Sequence, residues 1–320
     1  MPSKYPVEPL SFENLSTIPI HERGGKVTTA MFARPHTKGG DWLGFLSGLP
    51  HLLAADHLRA VIEAMLHARR DRRAIIWGIG GHVIKTGLAP ILIDLMKRGF
   101  ATSFAMNGAA AIHDFEIAVA GFTSEDVEAV LPDGRFGSAE ETGREMNRAI
   151  EAGNLDGIGM GEALGRRLMQ NGRADTAVQS ILYMAHEAGV PVTVHVAIGT
   201  DTPHLHPEAK GAALGEATHR DFRLFSTLVT GLDQGGVYIN LGSAVLMPEV
   251  FLKAVSGVRN LGYPLGQFTT VNMDFLDHYR PRQNVVQRPH ANAGGKGYQL
   301  TGHHEIMLPL LAALLVECAE

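Results

Sequence analysis

The chain has 320 residues, with 28 lysines and arginines against 33 aspartates and glutamates, hence a net charge of −5. That mild acidity excludes the basic footprint of a nucleic-acid-binding domain, and no apolar stretch reaches the roughly 20 residues that span a bilayer. A single cysteine, Cys318, excludes an internal disulfide framework and a thiolate zinc cluster. With no signal-peptide pattern at the start, the expectation is a cytoplasmic protein whose partners are neither nucleic acid nor membrane.

Residues 1–40 are polar and weakly patterned and read as an N-terminal arm, with one α/β unit over 41–320. Apolar residues at helical spacing predict a helix over His51–Arg69. Ala74–Gly78 is a short apolar run that reads as a strand; it leads into a glycine turn and a helical pattern over Val83–Arg98. Ala101–Met106 reads as a strand and Ala109–Ala120 as a helix. The charged stretch Gly121–Asp156 reads as an excursion with a helix at Ser138–Ala152. Helices follow at Gly161–Gln170 and Thr176–Gly189, then a buried strand at Pro191–Ala197. Asp221–Thr230 and Pro248–Val258 read as helices, Gly236–Leu241 and Phe268–Met273 as strands, and Glu305–Val316 as a closing apolar helix. Five strands alternating with helices predict a Rossmann-like doubly wound, mostly parallel sheet with helices on both faces.

Ligands of such sheets bind beyond the carboxyl ends of the strands. Here those ends carry Gly80-Gly81-His82, Asn107-Gly108, Gly199-Thr200-Asp201, Gly242-Ser243 and Asn272-Met273-Asp274. Glycine admits close backbone approach, so the set suggests a nucleotide-sized ligand, although turns need such residues anyway. Neither a GxGxxG fingerprint nor a Walker A loop is present. The 16 histidines include His204-Leu-His206 and the adjacent pair His303-His304. Three converging imidazoles would hold a metal ion, but no recognised metal spacing appears, so a metal is the lesser alternative. A weak echo of a ureohydrolase strand end at Val271–Asp277 lacks that motif's first aspartate and its proline.

From about residue 50 onward the chain resembles the deoxyhypusine synthase family. Leu53–Val61 is similar to its TNFGRAV helix, Gly80–Gly87 to TSNLISSG, and Asn107–Asp114 to TAGGVEED. Gly199-Thr200-Asp201 resembles LTDG, Asn240–Val245 resembles LGGGVV, Val271-Asn272-Met273 resembles YINT, and His303–Leu311 resembles DASLVFPLL. Order and spacing are kept over about 270 residues. The resemblance implies a homotetramer with NAD and active sites at subunit interfaces. It also implies transfer of the aminobutyl group of spermidine through a lysine imine. Carried over residue by residue, NAD would meet Gly81, His82 and Lys85, then Asn107, Gly108 and Ala109. Asp201, Gly242, Ser243, Asn272, Met273 and His303 would complete its site. A carboxylate such as Asp201 accepts both hydroxyl protons of a ribose diol.

The departures concern the chemistry. The imine-forming lysine falls on His290, and histidine cannot form that imine. Lys296, six residues on, is the nearest lysine. The family's histidine after LGGGVVK falls on Met247, and its paired glutamates fall on Ile112 and His113. With those acids gone, the expectation is a neutral or anionic substrate rather than spermidine. The leading expectation is an NAD-dependent enzyme acting on a small metabolite, a polyamine or related amine or amidine. His113, His206, His290 and His303 are its candidate proton-transfer residues, with Asp114, Asp201 or Asp274 orienting them. The alternatives are an aminobutyl transferase using Lys296, a His-ligated metal-dependent hydrolase, and a binding protein without turnover.

Overall fold

The structure is a computed structural model and describes residues 3–319. The elements run in chain order as α1 (Ile20–Arg23), α2 (Trp42–Gly48), α3 (Leu53–Arg70), β1 (Ile75–Ile79), α4 (Gly81–Lys85), α5 (Ala89–Lys97), β2 (Ser103–Asn107) and α6 (Gly108–Ala120). Next come α7 (Val127–Val130), α8 (Glu140–Leu155), α9 (Met160–Asn171), α10 (Ile181–Ala188), β3 (Val192–His195), α11 (Gly211–Thr230), β4 (Val237–Leu241) and α12 (Leu246–Asn260). The chain closes with β5 (Thr269–Asp274), α13 (Tyr279–Pro281), β6 (Lys296–Thr301) and α14 (His304–Cys318). Residues 3–30 are exposed along their whole length.

The strands form one six-stranded sheet in the order β3-β2-β1-β4-β5-β6, and every pairing is parallel. This is the strand order of the doubly wound dinucleotide-binding sheets, with its topological switch between β1 and β4. The inner strands are buried on both faces, which is why IIWGI and VYINL read as continuous apolar runs rather than alternating ones. One face carries Trp77, Ile79, Met106, Ile239 and Leu241 beneath α3, α5, α6, α10 and α14. The other carries Ile76, Ala105 and Tyr238 beneath Phe225 and Val229 of α11 and Phe251 of α12. Tyr238 stacks on Phe251 with the rings 3.7 Å apart.

Four details differ from the sequence reading. A sixth strand, β6, extends the sheet beyond β5; its KGYQLT sequence is only partly buried, as an edge strand is, and lacks an apolar run. The helix expected over Val83–Arg98 is two, α4 and α5, because Gly87 turns the chain at φ +77°. α11 begins ten residues earlier than expected, at Gly211. The helix expected from Thr176 is a short 3-10 turn, Ala177–Gln179, followed by α10. Asp114 ties the start of α10 to α6, accepting from the Ser180 hydroxyl at 2.5 Å and the Ile181 and Leu182 amides at 2.8 and 2.9 Å.

Candidate functional site

The carboxyl ends of the strands bring several of the expected residues to one edge of the sheet. After β1 the chain enters α4 through Gly80 and Gly81, placing His82 and Lys85 on that short helix. After β2, Asn107 caps α6: its side-chain oxygen accepts from the Ala110 amide at 2.9 Å. Gly108 and Ala109 form the first turn of α6. Asp201 reaches back from the loop after β3 to lie against Gly108. A Cβ at Gly108 would sit 2.1 Å from an Asp201 carboxylate oxygen. Gly81 is packed less tightly but still closely, since a Cβ there would lie 2.9 Å from that of Ala109 and 3.3 Å from the His113 ring.

Between these elements lies a cavity of about 220 Å³. Lys85, His113, Glu116, Glu125, Phe136 and Asp201 are among its walls. Burial, reinforced by the Lys85 charge, pushes the His113 imidazole down to about 4, so it is neutral at physiological pH. Burial raises Glu116 and Asp201 above the usual carboxylate range, against the hydrogen bonds that each accepts. Asp201 accepts from the Ala197 amide at 3.1 Å and the Thr200 hydroxyl at 3.3 Å. A carboxylate has about four lone-pair sites, so capacity remains for a ligand. The walls carry three carboxylates against one lysine. The acidic charge expected to be lost is therefore present, supplied by Glu116, Glu125 and Asp201 rather than by the positions of the paired glutamates.

The switch point itself is tight. A Cβ on Gly80 would lie 2.0 Å from the Gly242 carbonyl oxygen, so the β1 and β4 turns touch. The Ser243 hydroxyl, two residues before the N-cap of α12, accepts from the Met247 amide at 3.1 Å. Asn272 is committed to an amide ladder across three strands. Asn240 donates to it at 2.7 Å and it donates to Gln299 at 3.0 Å. The Met273 side chain is buried in the core. Of these four expected cofactor contacts, Gly242 and Ser243 offer backbone, while the Asn272 and Met273 side chains are occupied inside the protein.

His303 is the exposed cap residue of α14, parallel to Phe275 with ring centroids 6.5 Å apart. The neighbouring His304 is fully buried, with neither ring nitrogen hydrogen-bonded; its Nε2 lies 3.5 Å from Asp274, and its ring lies 5.4 Å from that of His82. His206 stands on the loop after β3 with both nitrogens engaged, one 3.2 Å from Glu140 and one accepting from the Glu208 amide at 3.2 Å.

Two expected residues lie elsewhere. His290 is hydrogen-bonded to Thr270 at 2.8 Å, and Lys296 pairs with Thr269 as the first residue of β6. Both therefore stand at the amino-terminal edge of the sheet, about 16 Å along the strands from its carboxyl edge. Within one chain, a lysine there stands apart from the cavity of His113. Among the described residues, no three His, Cys, Asp or Glu side chains converge as a metal site. Sequence reasoning did not single out the cavity residues Glu116 and Glu125, nor Thr123 and Thr142, whose hydroxyls bond Glu116. Only Glu116 left a signal, three residues after His113 on the same helix face.

No protein-family model matches the chain, and no curated protein does. Solved structures do. A conserved protein assigned to the LOR/SDH class, from Methanococcus maripaludis S2, is 17% identical with a TM-score of 0.51, over 83% of this chain and 70% of that one. A protein assigned as a deoxyhypusine synthase, from Entamoeba histolytica, is 10% identical with a TM-score of 0.50, over 90% of this chain and 97% of that one. A weaker likeness, TM-score 0.46 and 17% identity, covers 82% of this chain and 33% of AgrE, solved with ornithine and NAD+. At these identities the likeness establishes architecture alone: the chain has a doubly wound parallel fold like that of the deoxyhypusine synthase and LOR/SDH structures.

Proposed function

We propose that the protein is an NAD-dependent enzyme acting on a small amine metabolite, with the amine in the cavity beside His113. The observation that carries this reading is the cavity itself. It lies at the carboxyl edge of the sheet, where doubly wound folds bind ligands, and combines a neutral imidazole with three carboxylates. Its volume of about 220 Å³ suits a small metabolite and leaves no room for a dinucleotide as well. The residues that would hold NAD are Lys85, the free lone pairs of Asp201, and the Gly81–His82 and Gly242–Ser243 turns. They fit it chemically: an ammonium for phosphate and an acceptor for a ribose diol. When bound, NAD would supply a hydride acceptor.

The chain's own groups do the rest. Glu125 attracts and orients a protonated amine. His113, uncharged at neutral pH, takes a proton from it and returns it in the reverse direction. Arrangement as a homotetramer with interfacial sites belongs to this proposal too. The position of Lys296 at the opposite edge argues against transfer through an imine on that residue.

Calorimetric titration tests the cofactor half. NAD should give saturable heat at or below millimolar concentration, weakened by Asp201→Asn. Incubation with NAD and a panel of primary amines, followed by NADH fluorescence, tests the amine half, and Glu125→Gln should raise KM. No heat with wild-type protein at millimolar NAD would overturn the reading.

A further inference from the structure

His113 does not touch Glu116 directly. Its Nδ1 is 3.9 Å from the nearer Glu116 oxygen, too far for a hydrogen bond. The Thr123 hydroxyl stands between them, 2.7 Å from Nδ1 and in short contact with Glu116 Oε2. The other Glu116 oxygen accepts from the Thr142 hydroxyl at 3.1 Å. Thr142 is buried on α8, so the carboxylate is clamped between two hydroxyls from different parts of the chain.

The direction of these bonds follows from counting protons. An ionised carboxylate only accepts, and a threonine hydroxyl has one proton. Thr123 therefore gives its proton to Glu116 and keeps only lone pairs for His113. Nδ1 must then be the ring nitrogen that carries hydrogen. In a neutral imidazole this leaves Nε2 bare. A ring flip would set a carbon in place of Nδ1 against the Thr123 hydroxyl and forfeit that hydrogen bond.

We propose that Thr123 and Glu116 form a positioning relay that holds His113 as the Nδ1–H tautomer, presenting Nε2 as the proton acceptor of the cavity. The relay deepens the reading of this cavity as an active site and rests on that reading for its role in turnover. Its geometry stands independently. Other charged groups face the imidazole: Lys85 from α4, Glu125 from the loop after α6, and Asp201 from the loop after β3. Lys85 and burial act together to keep the ring neutral.

The test is long-range proton–nitrogen NMR on full-length protein labelled with 15N-histidine, at pH 8. His113→Gln identifies the His113 resonances by their disappearance. In wild-type protein Nδ1 should be of the protonated, pyrrole type and Nε2 of the bare, pyridine type, with about tenfold or greater excess of that tautomer. Thr123→Ser keeps the hydroxyl and should preserve the pattern. Thr123→Val, nearly the same shape, should convert the ring to a mixture of tautomers. Wild-type His113 protonated at Nε2, or a Val variant with an unchanged pattern, would overturn the relay. The measurement needs neither NAD nor substrate. Loss of NAD binding with the tautomer intact would overturn the functional reading alone.

Discussion

Gly80→Ala tests whether the β1 and β4 turns meet as closely as the fold requires. The backbone of Gly80, at φ −94° and ψ 161°, suits alanine, so conformational strain does not enter. What enters is overlap. The new Cβ would lie 2.0 Å from the Gly242 carbonyl oxygen, 2.6 Å from its carbon and 3.0 Å from the Ser243 nitrogen. All three are backbone atoms held by bonds from Gly242 to Met273 O at 3.0 Å and from Asn240 Nδ2 to Ser243 O at 2.9 Å. Separating the turns by more than an ångström strains or breaks these bonds, at about 1 kcal/mol each. Overpacking adds about 1–3 kcal/mol. The total of about 3–5 kcal/mol should lower Tm by roughly 4–8 °C for a chain of this length. Gly215→Ala, in α11 with open space around its Cβ, is the control and should stabilise by about 0.5–1 kcal/mol. Differential scanning calorimetry of both variants gives the comparison. Equal Tm for Gly80→Ala and wild type would refute the contact at the switch point.

Further outcomes follow from the same geometry. Gly108→Ala should push the Asp201 carboxylate off the start of α6 and weaken NAD binding about tenfold or more, read by calorimetry. Lys296→Ala, at the far edge of the sheet, should leave NAD binding within about twofold and Tm within about 1 °C; a tenfold loss would restore that lysine to the site. Burial pushes His195 down to about 3. Its folded pKa lies below the unfolded value, so the unfolded state gains a proton first and stability falls as pH drops from about 6.5 towards 3. The full effect is on the order of 5 kcal/mol. Asp114 and Asp221, raised by burial to about 6 and about 7, act in the opposite direction over an overlapping range. The signature of His195 is therefore a difference: His195→Leu should gain stability relative to wild type as pH falls through that window in urea titrations. Parallel curves would contradict it.

Periodicity made most of the fold legible, because helices such as α3 and α6 bury one stripe and inner strands such as β1 and β4 bury both faces. β6 was illegible for the opposite reason. An edge strand with polar residues and glycine leaves no apolar run. The start of α11 was hidden by Gly211 and Gly215, which read as loop when neighbours are unknown. At the site, the sequence pointed to turns that the fold brings to one edge of the sheet. Gly80, Gly81 and Gly108 are each closely packed by protein atoms, a demand that the strand-end pattern alone does not reveal. The relay could not be read at all. Glu116 meets Thr123 seven residues on and Thr142 twenty-six residues on, and only the fold brings the three together. The position of His290 and Lys296 was illegible too, because alignment to a motif carries no information about which edge of the sheet a residue reaches.

Co-crystallisation with NAD and a small primary amine addresses the functional account most directly. The account predicts density for the amine between His113, Glu125 and Asp201, and for the dinucleotide along the Gly81 and Gly242 turns with Lys85 at its phosphates. Density for the amine at the opposite edge, near His290 and Lys296, with the His113 cavity empty, would contradict it.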